Sequence, residues 1–142
     1  MFILPTYEAI QEMMSRFPHG SFVMLNLFRL RAVADYSAHP ELAPDNHVSG
    51  RELFDRYAAG MDRALAEVGA ERVFLADGGS CLVGPTEERW DVVQLVRFPS
   101  IQAFMALAVH DATQGDLPHR YAMLQDSRVI PMAERSIDAA AR

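Results

Sequence analysis

The sequence contains no lysine and a single cysteine, and these two shortages exclude several kinds of chemistry. Without lysine, the chain cannot form a Schiff base with a carbonyl substrate and has no P-loop lysine for a nucleotide phosphate. Cys81 has no second cysteine with which to form an internal disulfide, and no cluster of Cys and His has the spacing of a zinc site. We therefore expect no metal site and a reducing, cytoplasmic environment.

Long hydrophobic runs and an excess of basic residues are also missing. No apolar run approaches the roughly 20 residues that a transmembrane helix needs, and the first residues do not resemble a signal peptide. The formal net charge is −6, which argues against a surface for nucleic acid. No Rossmann fingerprint, Walker loop or nucleophile elbow is present. The sequence thus predicts no membrane or nucleic-acid partner and no bound cofactor.

The length of 142 residues is typical of one domain, and a hydrophobic content of 50% is enough for an ordinary core. We expect that core over about residues 21–132 of a single domain spanning 1–142. A short helix, with Thr6 as its N-cap, is predicted within an extension formed by residues 1–20. The tail, residues 133–142, shows no core pattern and is expected to fray.

The hydrophobic periods divide the rest of the chain into strands and helices. The predicted elements are a strand at 21–31, a helix capped by Ser49 and ended by Gly69, strand pieces at 72–77 and 81–84 joined by a Gly78-Gly79 turn, a strand at 90–98, a helix capped by Ser100, an irregular stretch at 111–118, a helical turn at 119–125 and a strand at 127–132. This order predicts an α+β, ferredoxin-like βαββαβ fold with an antiparallel sheet and an extra N-terminal helix. Residues 32–49 have no period and form a long loop, which we expect to be mobile and to lie over one end of the cleft between helices and sheet.

Two of the predicted strands are apolar on both faces. In the strand at 90–98, Val92 and Val96 lie on one face, and Val93 and Leu95 lie on the other. The helices of this fold cover only one face, and a strand that is apolar on both faces must be covered on both. Burying a few hundred Å² at about 25 cal/mol per Å² is worth several kcal/mol. We therefore expect a homodimer, although the pattern does not decide which face meets the partner.

A series of short blocks runs in order from Phe22 to Pro131. The blocks are Met24-Leu25-Asn26-Leu27, Ser49-Gly50-Arg51-Glu52 with Tyr57, Gly84-Pro85, Arg89-Trp90-Asp91, Val96-Arg97-Phe98-Pro99-Ser100 with Phe104, Pro118-His119-Arg120, and Asp126-Ser127-Arg128-Val129-Ile130. This series resembles the domain-of-unknown-function family catalogued as thirteen-thirty. The resemblance implies a dimeric α/β barrel of ferredoxin-like protomers and no particular activity. The wider superfamily includes cofactor-free monooxygenases, haem-degrading monooxygenases, small isomerases and proteins that only bind ligands.

Three polar or aromatic residues on the predicted strands each allow a functional and a structural interpretation. Asn26 lies among apolar neighbours, where an unsatisfied buried amide costs about 1–3 kcal/mol, so it either orients a ligand or makes a structural hydrogen bond. Arg97 requires an anion, which is either a substrate carboxylate or an acidic residue of the protein. Trp90 either stacks on a planar ligand or belongs to the core or the interface.

The predicted helices contribute three further candidates. His119 follows Pro118 at a predicted helix start, where it is a candidate general base, and Arg120 is a candidate anion-binding group. Both also fit an ordinary surface turn. Tyr57 lies on the apolar face of its helix, as a pocket wall or as part of the core.

Two functions fit these candidates. The first is a homodimeric, cofactor-free enzyme that acts by proton transfer or like a monooxygenase. Its substrate is a small, partly apolar metabolite, either neutral or anionic. The second is a non-catalytic ligand-binding or assembly module. The motifs do not separate them.

Overall fold

The structure is a computed structural model that describes residues 1–137. The helices are α1 (Tyr7–Arg16), α2 (Gly50–Glu67), α3 (Ile101–Ala108) and α4 (Asp111–Met123), with a 3-10 turn at Pro40–Leu42. The strands are β1 (Phe22–Leu30), β2 (Glu71–Ser80), β3 (Arg89–Phe98) and β4 (Leu124–Met132). The tail that we expect to fray falls partly on residues 138–142, which lie outside the described residues. In the described part of the chain, no helix is long and apolar enough to cross a membrane.

The four strands form one antiparallel sheet in the order β2-β3-β1-β4. The helix α2 connects β1 to β2, and α3 and α4 together connect β3 to β4. This is the ferredoxin-like arrangement, with α1 as the additional N-terminal helix, and the predicted fold class is confirmed.

The predicted helix starts are confirmed at three positions. The side chains of Thr6, Ser49 and Ser100 each accept a hydrogen bond from the backbone amide three residues later. Each cap satisfies a donor that the first helical turn leaves unpaired. The end of α2 is also as predicted, because Gly69 adopts a φ of 80°, which glycine tolerates best.

The stretch at 111–118 was expected to be irregular, and this prediction is wrong. Residues Asp111–Met123 form the single helix α4, although Pro118 lies inside it. The His110 side chain accepts a hydrogen bond from the Ala112 amide and caps the helix at 3.1 Å. Burial of Ala122 and Met123 at its other end outweighs the helix-breaking tendency of proline.

The Gly78-Gly79 pair was expected to form a turn, but it lies inside the continuous strand β2. A Cβ atom at Gly78 would lie 2.3 Å from the Trp90 carbonyl oxygen on β3. Gly78 therefore allows the two strands to approach each other closely. The turn lies after Ser80, and the predicted strand at 127–132 in fact begins at Leu124.

Alternate side chains of β1 and β3 pack against the helices. We call the side of the sheet on which they lie the inner face. One hydrophobic cluster contains Phe22, Met24, Val96 and Phe98 with residues of α1, α2 and α3. A second cluster contains Phe28, Leu30 and Val92 with residues of α2 and α4, among them Leu53 and Ala122. Asn26 and Gln94, which are paired across the two strands, lie between the clusters.

The opposite side of the sheet, which we call the outer face, is also apolar. The register aligns one row across all four strands, formed by Phe74, Leu95, Leu25 and Ile130. Phe74 and Ile130 at its ends are 51% and 47% exposed. The two-sided apolar pattern of the sequence therefore leaves a broad apolar surface away from the helices.

Candidate functional site

His119 is the centre of a group of aromatic side chains from three segments. Its Nδ1 atom lies 2.7 Å from the Tyr36 hydroxyl, and its ring stacks on Tyr57 with the centroids 4.6 Å apart. His119 belongs to α4, Tyr57 to α2 and Tyr36 to the loop that follows β1. Tyr36 is buried in the second hydrophobic cluster, and Tyr57 packs against that cluster. The group therefore lies where α2, α4 and the loop meet.

Backbone hydrogen bonds hold Tyr36 in this position. The neighbouring Asp35 amide donates to the Ala122 carbonyl of α4 at 2.9 Å, and the Ala34 amide donates to Val48 at 2.8 Å. Residues 34–48 also line an open depression of about 330 Å³ beside Tyr36. The long loop thus supplies one wall of the aromatic group, while its expected mobility stays a prediction.

The hydrogen bond between Tyr36 and His119 determines what the imidazole offers a ligand. If Nδ1 carries a proton and donates it to the hydroxyl, the lone pair of Nε2 is free to accept a proton. If the hydroxyl donates instead, Nε2 carries the proton and acts as a donor. Either way, the phenol fixes the orientation of the ring, as the partner of a general base must.

Burial also changes the acidity of two neighbouring groups. It raises the pKa of the Tyr36 phenol, an effect that charge on Tyr57 increases and Arg56 opposes. It also raises the pKa of Asp116, which lies one helical turn before His119, and the charge of His119 opposes that rise. Both groups therefore hold their protons more firmly than they would in water.

Arg120 follows His119 in α4, and its side chain packs against the second cluster. Its guanidinium carbon is 5.4 Å from the centre of the Phe28 ring, and Nε and Nη2 donate to the Ile3 carbonyl at 3.4 and 3.3 Å. Burial lowers the pKa of Arg120. Within residues 1–137, its side chain forms no ion pair with an acidic residue. A desolvated cation without a carboxylate favours binding of an anion.

Asn26 and Gln94 form a pair of amides on the inner face, one row from Phe28. The Asn26 side chain donates to the Met24 carbonyl at 3.3 Å. Gln94 is 9% exposed, and in the described part of the chain its buried Oε1 atom has no hydrogen-bond partner. Our sequence analysis missed Gln94, although the same signal that singled out Asn26 was present, namely an amide on an apolar strand face.

The structure places Arg97 and Trp90 away from His119. Arg97 lies on the outer face and pairs with Glu134 at 2.7 Å and with Glu71 at 3.7 Å. The hydrogen bond to Glu134 raises the pKa of the Arg97 guanidinium group above its ordinary value. These contacts correspond to the ion-pair interpretation of Arg97.

The Trp90 indole has close contacts of its own. It lies 5.0 Å from the guanidinium carbon of Arg29 and 5.2 Å from that of Arg128, and its Nε1 donates to Glu88 at 3.2 Å. Trp90 is buried, and the two guanidinium groups occupy positions over its ring at which a planar ligand would stack.

Comparison with known proteins identifies similar structures but no function. No family model and no curated protein match the chain. The crystal structure of RPA0582, a protein of unknown function from Rhodopseudomonas palustris, aligns with a TM-score of 0.79 and 28% identity over 94% of this chain and 97% of that one. The methylated RPA0582 protein aligns at 0.82 and 27% identity, over 95% and 96% of the two chains. A dabb family protein with a ferredoxin-like fold from Mesorhizobium loti aligns at 0.45 and 10% identity, over 83% and 100%.

Proposed function

We propose that this protein is a homodimer that binds a small, partly apolar anion beside His119, and that His119 moves a proton to and from this ligand. The observation that carries the proposal is the hydrogen bond of 2.7 Å between Tyr36 and Nδ1 of His119. The next residue of α4, Arg120, has no acidic partner within residues 1–137. A ring nitrogen held by one partner leaves its other nitrogen available for proton transfer.

The surroundings of Arg120 support an anionic and partly apolar ligand. The guanidinium group lies on the Phe28 ring, and its acceptor is the neutral Ile3 carbonyl. A carboxylate accepts two parallel hydrogen bonds from a guanidinium group and compensates its charge, which a carbonyl does not. Tyr57, which is half-buried, supplies apolar surface for the remainder of the ligand.

The outer face supports the homodimer. The row of Phe74, Leu95, Leu25 and Ile130 crosses the whole sheet, and its ends are half exposed. Exposed apolar surface of this extent favours burial against a second copy. The resemblance of the sequence to the thirteen-thirty family, which implies a dimeric α/β barrel, supports the same assembly.

Proton transfer is the version of the enzyme hypothesis that uses groups present in the site. It requires a base with an oriented ring and a cation that stabilises negative charge on the ligand, which are the roles of His119 and Arg120.

The experiment measures hydrogen exchange into the ligand. The protein is incubated in D₂O with small carboxylic acids that have a C–H bond next to a carbonyl group, and proton NMR follows the loss of each C–H signal. We expect the wild-type protein to catalyse exchange for at least one acid, Tyr36→Phe to slow it, and His119→Ala to abolish it. His39→Ala, which changes an exposed loop histidine, is the matched control.

The same samples distinguish the two hypotheses. Binding of an acid that requires Arg120 but shows no exchange in the wild-type protein would identify a non-catalytic ligand-binding module. Exchange that persists in His119→Ala would contradict the assigned base.

A further inference from the structure

We propose that Gln94 recognises the ligand through a hydrogen bond, and that the site takes an anion with a hydroxyl or N–H group at its other end. This inference rests on the proposed function, because it assumes that the anionic group lies at Arg120. It adds a second point of recognition, on the inner face of the sheet, and thereby a chemical class of ligand.

The first argument is the position of Gln94 on the sheet. The register aligns an inner-face row formed by Leu75, Gln94, Asn26 and Val129, which separates the two hydrophobic clusters. Leu75 and Val129, at the edges of the sheet, are 48% and 45% exposed although they lie on the face that carries the helices. The helices therefore do not close over the ends of this row, and the amide pair lies at its centre, between the two clusters.

The second argument is the unused acceptor of Gln94. The residue is 9% exposed, and its buried Oε1 atom has no hydrogen-bond partner within residues 1–137, whereas the neighbouring Asn26 donates to the Met24 carbonyl. Buried polar atoms in proteins are almost always paired, because an unpaired one has lost its hydrogen bonds to water. An apolar residue would suit this apolar strand face better, so the cost of keeping glutamine here is explained if a ligand supplies the missing donor.

The spacing between Gln94 and Arg120 limits the ligand. Arg120 lies on Phe28, which is the next inner-face position on β1 after Asn26, the residue paired with Gln94. Two residues along a strand span about 7 Å, so the donor and the anionic group of the ligand should be separated by a similar distance. A six-membered ring with a carboxylate and a hydroxyl group at opposite ends has these dimensions.

The experiment combines a ligand test with a stability test. Binding of 4-hydroxybenzoate, 4-methoxybenzoate and benzoate is measured by calorimetry for the wild-type protein, Gln94→Leu, Gln94→Met and the control Gln102→Leu, which changes an exposed glutamine of α3. We expect the wild-type protein to prefer 4-hydroxybenzoate to 4-methoxybenzoate by about tenfold or more, because the methoxy group supplies no donor. Both Gln94 variants should lose this preference, while Gln102→Leu retains it.

The stability test needs no ligand. We expect the melting temperature of Gln94→Leu or Gln94→Met to equal or exceed that of the wild-type protein, because either change removes a buried atom without a partner. A fall of several degrees in both variants would show that Gln94 is structural and would overturn the inference, as would a preference for the hydroxyl group that survives in both.

Failure of the inference differs from failure of the proposed function. If all three compounds bind equally well and Arg120→Gln abolishes their binding, the anion site stands and the role of Gln94 is refuted. If none of the three binds at millimolar concentration, or if Arg120→Gln leaves binding unchanged, the anion site and the inference built on it both fail.

Discussion

Replacing Leu95 by glutamate tests whether the outer face joins two copies of the chain. Leu95 lies in the middle of the apolar row, between Phe74 and Leu25, and is half-buried within one protomer. We expect Leu95→Glu to convert the dimer into a folded monomer, because the new carboxylate remains hydrated only when the outer face is free. Leu27→Glu, on the same face, should behave in the same way.

The expected magnitude follows from the symmetry of a dimer, in which each change occurs twice. Loss of a buried leucine costs about 1.5–3 kcal/mol at each site. Burial of an unpaired carboxylate adds several kcal/mol in proteins after relaxation. A total of about 6 kcal/mol or more raises the dissociation constant by about four orders of magnitude. This effect is large enough to abolish dimers at micromolar concentration.

Sedimentation velocity at low micromolar concentration measures the assembly, and circular dichroism measures the fold of the same samples. Leu42→Glu is the control, because it makes the same chemical change at a residue of the 3-10 turn that is 42% exposed. A wild-type protein that sediments as a folded monomer would refute the reasoning, and so would a Leu95→Glu variant that remains a dimer.

Three further predictions concern the sheet, the N-terminal segment and the loop. Gly78→Ala should destabilise the protein by several kcal/mol in urea titrations, because the new Cβ atom would lie 2.3 Å from the Trp90 carbonyl oxygen. Gly79→Ala should cost far less, because a Cβ atom there would have no described atom within 4 Å. Equal effects of the two changes would contradict the close approach of the strands at Gly78. Burial raises the pKa of Asp126, but hydrogen bonds from the Phe2 amide, Arg128 and the Ser127 amide outweigh it, so that the pKa is lowered overall. Its contribution to stability is therefore present above the ordinary carboxyl pKa and is lost as the pH falls through the lowered value. Asp126→Asn should lower the melting temperature at pH ~7, and the difference from the wild-type protein should shrink as the pH falls through that lowered pKa. Amide exchange should be fast in residues 37–47, and uniform strong protection there would argue against a mobile loop.

The sequence was sufficient for the fold because local signals and hydrophobic pattern agreed over most elements. Thr6, Ser49 and Ser100 are strong N-caps, and each begins a helix as predicted. The prediction was wrong at Pro118 and Gly78, where a residue that usually ends an element lies inside one. In both cases the reason is tertiary, since α4 packs on α2 and the Gly78 backbone lies against β3. Such contacts connect residues distant in sequence, so local patterns do not contain them.

The candidate site was harder to predict than the fold. His119 and Tyr57 were chosen separately, and the structure brings them together with Tyr36, a residue of the unpatterned loop that no sequence pattern singled out. Arginine and tryptophan side chains often contact ligands, yet Arg97 and Trp90 have charged residues of the protein as their neighbours in space. Which partner a charged or aromatic side chain finds depends on the register of the sheet and on the path of the termini.

The acceptor that Arg120 uses belongs to the main chain, at Ile3. Replacing the side chain of Ile3 leaves this carbonyl oxygen in place, so alanine scanning will not reveal the interaction. The hydrogen bonds from Phe2 to Asp126 and from Ser127 to Phe2 fix the same piece of backbone along β4. Truncations that remove Ile3 will therefore remove the acceptor of the Arg120 guanidinium group, which we propose binds the ligand. Affinity tags at the N-terminus act on the same segment, whereas a tag at the C-terminus leaves it intact. Binding assays on this protein should use the second arrangement.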